Sequence, residues 1–439
     1  MFDSYFEAVK KLNNTINAAK ASYMSTANTA KKDLAFFLGR TQHLFDRMGN
    51  PEKSGFKYVH IAGTSGKGST SAMIYNALVA DGKNVGLYMS PYVTTAAENI
   101  QANGQLIDPA LFVECVDEVL PIANAIAEED PELRPSYSDI FFAIGFMYFK
   151  RIGVEWLVIE TSCGGRFDKT NIIPAPEVAV ITPIGIDHVA ILGDTIEKIA
   201  YQKAGIIKSG STVFSSGQKA ETTTVLQQQA DEVGGIIKTV TTEYTGKLSM
   251  PGKHQRLNAG VAEAACMQLD ISSEAIATGF AKAQLPARVE IMQDSPLVVL
   301  DGAHSKPKIV ALVETLEEMK AEKPWNKLHM LYSAKEGKDL EAIISQLAPI
   351  ADTVTVTGWQ LPGFGSANIQ EMATLFSKHG NAEVTIHEQS RDALETVLAQ
   401  AKNDDIVVLT GSLYLAGELR QHWISVEQML TERSLFPTR

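Results

Sequence analysis

The sequence predicts an α/β protein built on mainly parallel sheets and divided into two domains. Three observations carry this. Short apolar runs alternate with helix-period segments from residue 57 onward, the pattern of successive βαβ units. The alternation halts at QLPARVE (284–290), where Pro286 breaks it, and then begins again. The chain has 439 residues, too many for one ordinary core when a domain takes about 150. The boundary falls near residue 286, giving domains 1–286 and 287–439.

Each element follows in order. KYVHIA (57–62) reads as a buried strand, a Gly-rich turn follows it, and SAMIYNALVADG reads as a helix ending at Gly82. NVGLYMS (84–90) is the next strand. DIFFAIGFMYFKRIG is apolar almost all round, as a buried helix is. EWLVIETS, EVAVITPIG and STVFSSG are strands, since short apolar runs bounded by turn residues suit a sheet covered on both faces. TVTTEYTGK (239–247) reads as a hairpin or surface loop, and KLSMPGKHQRLNAGVAEAACMQL as a loop entering a helix. Beyond the boundary, PLVVLDGAH is a strand, KIVALVETLEEMKAE a helix and KLHMLYSA a strand. EAIISQLAPI, DTVTVTGW, NIQEMATLFSKHG, AEVTIHEQ, SRDALETVLAQAK and DIVVLTGSLYLAG continue the alternation.

Composition narrows the function. A net charge of -12 argues against a nucleic-acid partner, which wants a basic face. Cys115, Cys163 and Cys266 are scattered and odd in number, so neither a disulfide framework nor a cysteine metal site fits, and a reducing cytoplasm is expected. The N-terminus lacks the apolar run of a signal peptide, and no apolar run reaches the roughly 20 residues of a membrane helix.

HIAGTSGKGST (60–70) is the first stretch with chemistry in it. It departs from the common phosphate-loop pattern, because Gly68 separates Lys67 from the hydroxyl of Ser69. Its setting between strand and helix is nonetheless the one in which backbone N–H groups hold phosphate. Gly63, Gly66 and Gly68 allow close approach, Lys67 reaches terminal phosphates, and Ser69 or Thr70 can touch a metal-bound oxygen. In ETSCGGRFDKTN (160–171), Glu160 ends a strand, where open α/β sheets place ligands and where a carboxylate can take Mg²⁺. Asp187-His188 lies just past another strand. Lys203 reads by default as a solvated lysine; if buried, its neutral amine could react with CO₂ to give a metal-binding carbamate. In the second half, Arg288 could hold phosphate and Asp301 a ribose, with a plain turn as the alternative for Asp301-Gly302. TGSLYLAG (410–417) offers Ser412 either as a ligand group or as a helix cap.

The order of these motifs resembles the folylpolyglutamate synthase/dihydrofolate synthase family of the Mur ligase superfamily, from about residue 35 to the C-terminus. The family's GTNGKGS stands here as GTSGKGS, and its EVGLGGRLDATN as ETSCGGRFDKTN. IGIDHVAILGDTIEKIAYQKAGIIKSG matches the family's long IGLDHxxxLGxTxxxIAxxKAGIIKxG segment, and HQRLNA, ARVE, LDGAH and TGSLYLAG follow in family order. The resemblance implies a P-loop ATPase-like N-terminal domain and a smaller Rossmann-like C-terminal domain. It implies an ATP-dependent amide ligase of folate metabolism, acting as a monomer, that adds L-glutamate to a folate or dihydropteroate-like carboxylate through an acyl phosphate. Carried over residue by residue, Gly63, Thr64, Ser65, Gly66, Lys67, Gly68, Ser69, Thr70, Asn258, Arg288 and Asp301 would bind ATP. Ser69, Ser90 and Glu160 would serve one Mg²⁺, and His188 with carbamylated Lys203 a second. His304 and Ser412 would lie near the glutamate, and Lys67, His188, Lys203 and His304 would carry the catalytic roles.

Departures cluster on the acceptor side. The stretch after Ser90-Pro91 has Ala96, Ala97 and Asn99 where aromatic and arginine residues are expected, SYSD (136–139) replaces a TFFE-like segment, and DGAHNP has become DGAHSKP. Two alternatives therefore stand beside the folate ligase: a Mur-type ligase of the same mechanism with a non-folate acceptor, and a P-loop kinase or nucleotide-binding regulator.

Overall fold

The computed structural model describes residues 2–19, 33–361 and 364–438. These described residues form two compact units: those within 2–19, 33–92, 96–249 and 255–283 make the first, and those within 93–95, 250–254, 284–361 and 364–438 the second.

The first unit is organised by an eight-stranded sheet. Its parallel strands are β1 (Lys57–Ala62), β2 (Val85–Tyr88), β5 (Trp156–Glu160), β6 (Val178–Ile181), β7 (Thr212–Ser216) and β8 (Ile236–Val240). The short strands β3 (Ile100–Ala102) and β4 (Gln105–Leu106) form an antiparallel edge, in the order β4-β3-β2-β5-β1-β6-β7-β8. Pairing from β2 to β8 is parallel throughout. β2, β5 and β6 are buried at every position, as continuous apolar strands are when helices cover both faces. TVTTEYTGK makes no hairpin: its first two residues end β8 and the rest is irregular, with Tyr244 packed on Phe280.

Two helices of this unit are set by their caps. Asp108 accepts from the amides of Ala110 and Leu111 and starts the helix Pro109–Glu129. Ser136 and Asp139 form a capping box on Tyr137–Ile152. Asp139 also meets buried Arg40 (Nη2 to Oδ2, 2.7 Å) and the Thr41 hydroxyl (2.9 Å). Burial alone would raise this carboxyl, but Arg40 and the hydrogen bonds outweigh it and hold it below the usual carboxylate range. SYSD is thus a cap and an ion-pair anchor. The N-terminal helix Asp3–Ala19 brings in Tyr5, whose hydroxyl accepts from the Ala97 amide at 3.0 Å. Ala96, Ala97 and Asn99 are buried in the turn beneath it, where larger side chains would collide with the packing.

The second unit has a six-stranded sheet in the order β15-β12-β11-β16-β10-β9. Strands β10 (Leu297–Leu300), β11 (Leu328–Tyr332), β12 (Thr353–Thr357), β15 (Glu383–His387) and β16 (Ile406–Thr410) run parallel, and β9 (Glu290–Asp294) is an antiparallel edge. A separate antiparallel pair joins β13 (Gln360–Leu361) and β14 (Phe364–Gly365). Val299, Met330, Tyr332, Val356 and Val408 lie at the centre of its core. Among the described residues no helix is long and apolar enough to cross a membrane.

Candidate active site

β1 lies between β5 and β6, near the middle of its sheet, and its carboxyl end feeds the loop 63–66. The helix Lys67–Ala80 begins at once, with left-handed Gly66 (φ 84°) as N-cap and no side-chain cap. First-turn amides of such a helix have no partner within it and suit an anion. A Cβ on Gly66 would lie 2.3 Å from Asn258 Oδ1, so Asn258 packs directly on the loop. Not every loop amide faces a ligand. Those of Thr64 and Ser65 donate to the Pro183 carbonyl (2.9 and 3.3 Å), and that of Thr70 to Gly66 within the helix (2.9 Å). The Thr64 hydroxyl donates to Gly185 O at 3.0 Å. Thr64 and Ser65 therefore brace the loop on the segment after β6, and the first-turn amides of the helix are the ones that no backbone partner within it takes up.

Two lysines converge here. Lys67 Nζ donates to Gly63 O at 3.1 Å, and Lys203 Nζ donates to the same oxygen at 2.7 Å. Lys203 sits in the last turn of the helix Ile196–Ala204 and is 3% exposed, so the solvated reading fails. Burial and then the Lys67 charge bring its amine down to about 7, against the pull of Cys163, Asp187 and Asp168. The Gly-Gly pair explains how this helix end is held. A Cβ on Gly165 would come within 2.8 Å of the carbonyls of Gln202 and Lys203. Arg166 donates its amide to Gln202 O (2.5 Å) and lays its guanidinium 3.9 Å from the Tyr201 ring centre. ETSCGGRF is thus the socket for QKAG.

Glu160 ends β5 and is buried, Ser69 is buried in the first turn of the loop's helix, and Ser90 follows β2 with its Oγ 3.1 Å from Ser162 Oγ. His188, in a left-handed conformation (φ 50°), has its side chain 52% exposed and 3.7 Å from Asp187. Among the described residues no three of His, Cys, Asp and Glu gather to hold a metal ion by themselves. The donors present still fit Mg²⁺, which binds through one or two carboxylates with hydroxyls, waters and substrate phosphates. A buried amine near 7, with an appreciable neutral fraction, also fits carbamate formation at Lys203.

In the second unit, Arg288 lies between two left-handed non-glycine residues, Ala287 (φ 52°) and Val289 (φ 48°). Such backbone is costly and persists only where neighbours hold it. Glu290 accepts from the Ala287 amide and Asp301 from that of Val289, both at 2.9 Å. Asp301 also accepts from the Ala303 amide (2.7 Å), and burial raises its carboxyl despite nearby Arg288. Glu290 takes Arg420 Nε on both oxygens at 3.0 Å, a buried pair that joins residues 130 apart and so leaves no local signal in ARVE. His304 Nδ1 is 2.7 Å from Gly302 O, which leaves Nε2 to accept from Lys308 at 3.2 Å. Burial and that ammonium push the imidazole down to about 3, which favours the neutral ring. Ser412 is the N-cap of Leu413–Arg420, accepting from the Tyr414 amide at 3.1 Å, a bond that uses its oxygen and not its hydroxyl proton.

A phosphate-type strand–loop–helix in a parallel sheet, followed by a second α/β unit, defines a Mur-type ligase: residues 287–413 match the family described as Mur ligase, glutamate ligase domain. The dihydrofolate synthase/folylpolyglutamate synthase of Bacillus subtilis is 32% identical over 415 residues, covering 88% of this chain and 94% of that protein. The folylpolyglutamate synthase of Lacticaseibacillus casei is 28% identical, covering 86% and 92%. Among solved structures, Mycobacterium tuberculosis folylpolyglutamate synthase complexed with ADP superposes with a TM-score of 0.83 at 27% identity, covering 96% of this chain and 98% of that one. This chain belongs to the folylpolyglutamate synthase/dihydrofolate synthase family.

Proposed function

We propose that this chain is an ATP-dependent ligase, acting as a monomer, that joins the amino group of L-glutamate to the carboxylate of a folate-type acceptor. The observation that carries the reading is the convergence of Lys67 and Lys203 on the Gly63 carbonyl beside an uncapped helix start, in a chain of this family. The acceptor carboxylate would attack the terminal phosphorus of ATP, releasing ADP and giving an acyl phosphate. The glutamate nitrogen would then attack the acyl carbon and expel phosphate. The first step brings anion to anion, so positive charge governs it. Lys67 and the amides of residues 66–69 would hold the terminal phosphates, with Asn258 beside them on Gly66. Ser69, Ser90 and Glu160 would hold one Mg²⁺, and His188 with a carbamylated Lys203 a second; such ions neutralise phosphate charge and align phosphoryl transfer. Neutral His304 and Ser412 are assigned to the incoming amino acid.

The buried acceptor-side departures do not count against a folate acceptor. Ala96, Ala97, Asn99 and Asp139 lie in packing or in an ion pair, so their departure from the expected residue types does not read as loss of an acceptor pocket. The test is phosphate release from ATP with glutamate and each of dihydropteroate, a folate and unrelated carboxylic acids. Release that needs both glutamate and a pterin-bearing acid is the expected result. Turnover only with unrelated acids, or without glutamate, would overturn the proposal.

A further inference from the structure

Lys169 is a buried ammonium that the proposed reaction does not use. It opens the 3₁₀ turn Lys169–Ile172 after β5 and is 7% exposed. The turn is tied to the preceding loop at two points. Asp168 accepts from the amides of Ser162 (3.0 Å) and Cys163 (2.7 Å), and its other oxygen accepts from the Thr170 amide and hydroxyl. Lys169 Nζ donates to Ser162 Oγ, and Ser162 Oγ is hydrogen-bonded to Ser90 Oγ at 3.1 Å. The same ammonium lies 5.8 Å from the centre of the Tyr88 ring, a face that attracts cations. Ser90 and Ser162 are half-buried while Lys169 lies behind them, so the charge reaches the site through the two hydroxyls.

We infer that Lys169 is a positioning residue that supplies, through Ser162, a standing positive charge beside the Ser90–Glu160 metal position and sets divalent-ion affinity there below what those oxygens alone would give. The inference rests on the assignment of Ser90 and Glu160 to a metal ion. An ammonium two hydrogen bonds from Ser90 repels a divalent ion over a short, poorly screened path. The Asp168 carboxylate on the adjacent residue offsets part of this charge, so the expected effect is about tenfold rather than larger.

The test titrates Mn²⁺ into the full-length protein with ADP present and reads free Mn²⁺ by electron paramagnetic resonance, with folding checked by circular dichroism. K169M keeps the buried methylenes and K169Q keeps a donor for Ser162; both should bind Mn²⁺ about tenfold more tightly than the wild type. K169R should stay within about twofold of it. E160Q should bind more weakly. Unchanged or weaker Mn²⁺ binding in both K169M and K169Q, with E160Q weakened, would overturn the role of Lys169 and leave the metal assignment standing. An E160Q protein that binds Mn²⁺ as the wild type does would overturn the metal assignment itself.

Discussion

Replacing Lys203 with methionine removes a buried amine and keeps its aliphatic stem. The folded protein brings that amine from an ordinary 10.5 to about 7, which disfavours the ammonium by about 5 kcal/mol. The folded state therefore gives up the proton before the unfolded chain does. Between pH 7 and the ordinary lysine value the unfolded chain holds the extra proton, so stability rises with pH by up to about 1.4 kcal/mol per unit. Below that window both states are protonated and the penalty is full and constant. Lys203→Met carries no such penalty. In CO₂-depleted buffer its stability advantage over the wild type should be largest at and below pH 7 and shrink by about 2 kcal/mol on reaching pH 9. Hydrogen exchange of the β1 and β6 peptides, corrected for its intrinsic pH dependence, measures this without assuming that the two units unfold together. Parallel pH profiles for wild type and variant would refute the reasoning. Labelled bicarbonate should give a carbamate carbon resonance in the wild type and none in Lys203→Met.

Three further outcomes are expected. Lys67→Ala should abolish ATP turnover while leaving the circular dichroism spectrum unchanged; retained turnover would remove the loop from the mechanism. Gly66→Ala forces alanine into a left-handed backbone at a cost of about 1–2 kcal/mol and drives its Cβ into Asn258, so ADP binding measured by calorimetry should be lost. Adding Asn258→Ala should recover part of the stability, and a double variant no better than the single would show that the contact does not limit the loop. Asp139→Asn leaves Arg40 buried without its carboxylate and should cost about 3–5 kcal/mol in unfolding experiments; a change below about 1 kcal/mol would contradict the anchoring role given to SYSD.

Much of the fold was legible because its strands are short, apolar and bounded by turn residues. KYVHIA coincides with β1, and EWLVIETS and EVAVITPIG contain β5 and β6. The position of candidate residues was legible where a motif ties them to an element end, as with the loop lysine, the strand-end Glu160 and the KAG helix end. What stayed hidden depends on contacts between distant segments. Nothing local in SYSD announces that Asp139 will meet Arg40, nor in YVTTAAEN that Tyr5 will cover Ala97. The bracing of Thr64 and Ser65 on Pro183 needs the β1–β6 pairing before it can be seen. The passage of residues 93–95 and 250–254 into the second unit likewise leaves no mark in composition. Ser412 had two readings because a hydroxyl before a helix can cap it or bind a ligand; the Tyr414 amide shows the cap, and the two roles are compatible because the cap uses only the oxygen.

The central claim is that the acceptor carboxylate is phosphorylated before glutamate attacks it. Dihydropteroate labelled with oxygen-18 in its carboxylate, incubated with ATP, Mg²⁺ and L-glutamate, tests this by mass spectrometry of the released phosphate. Transfer of one labelled oxygen into phosphate, in step with amide formation, is the predicted result. Amide formed with unlabelled phosphate would contradict it.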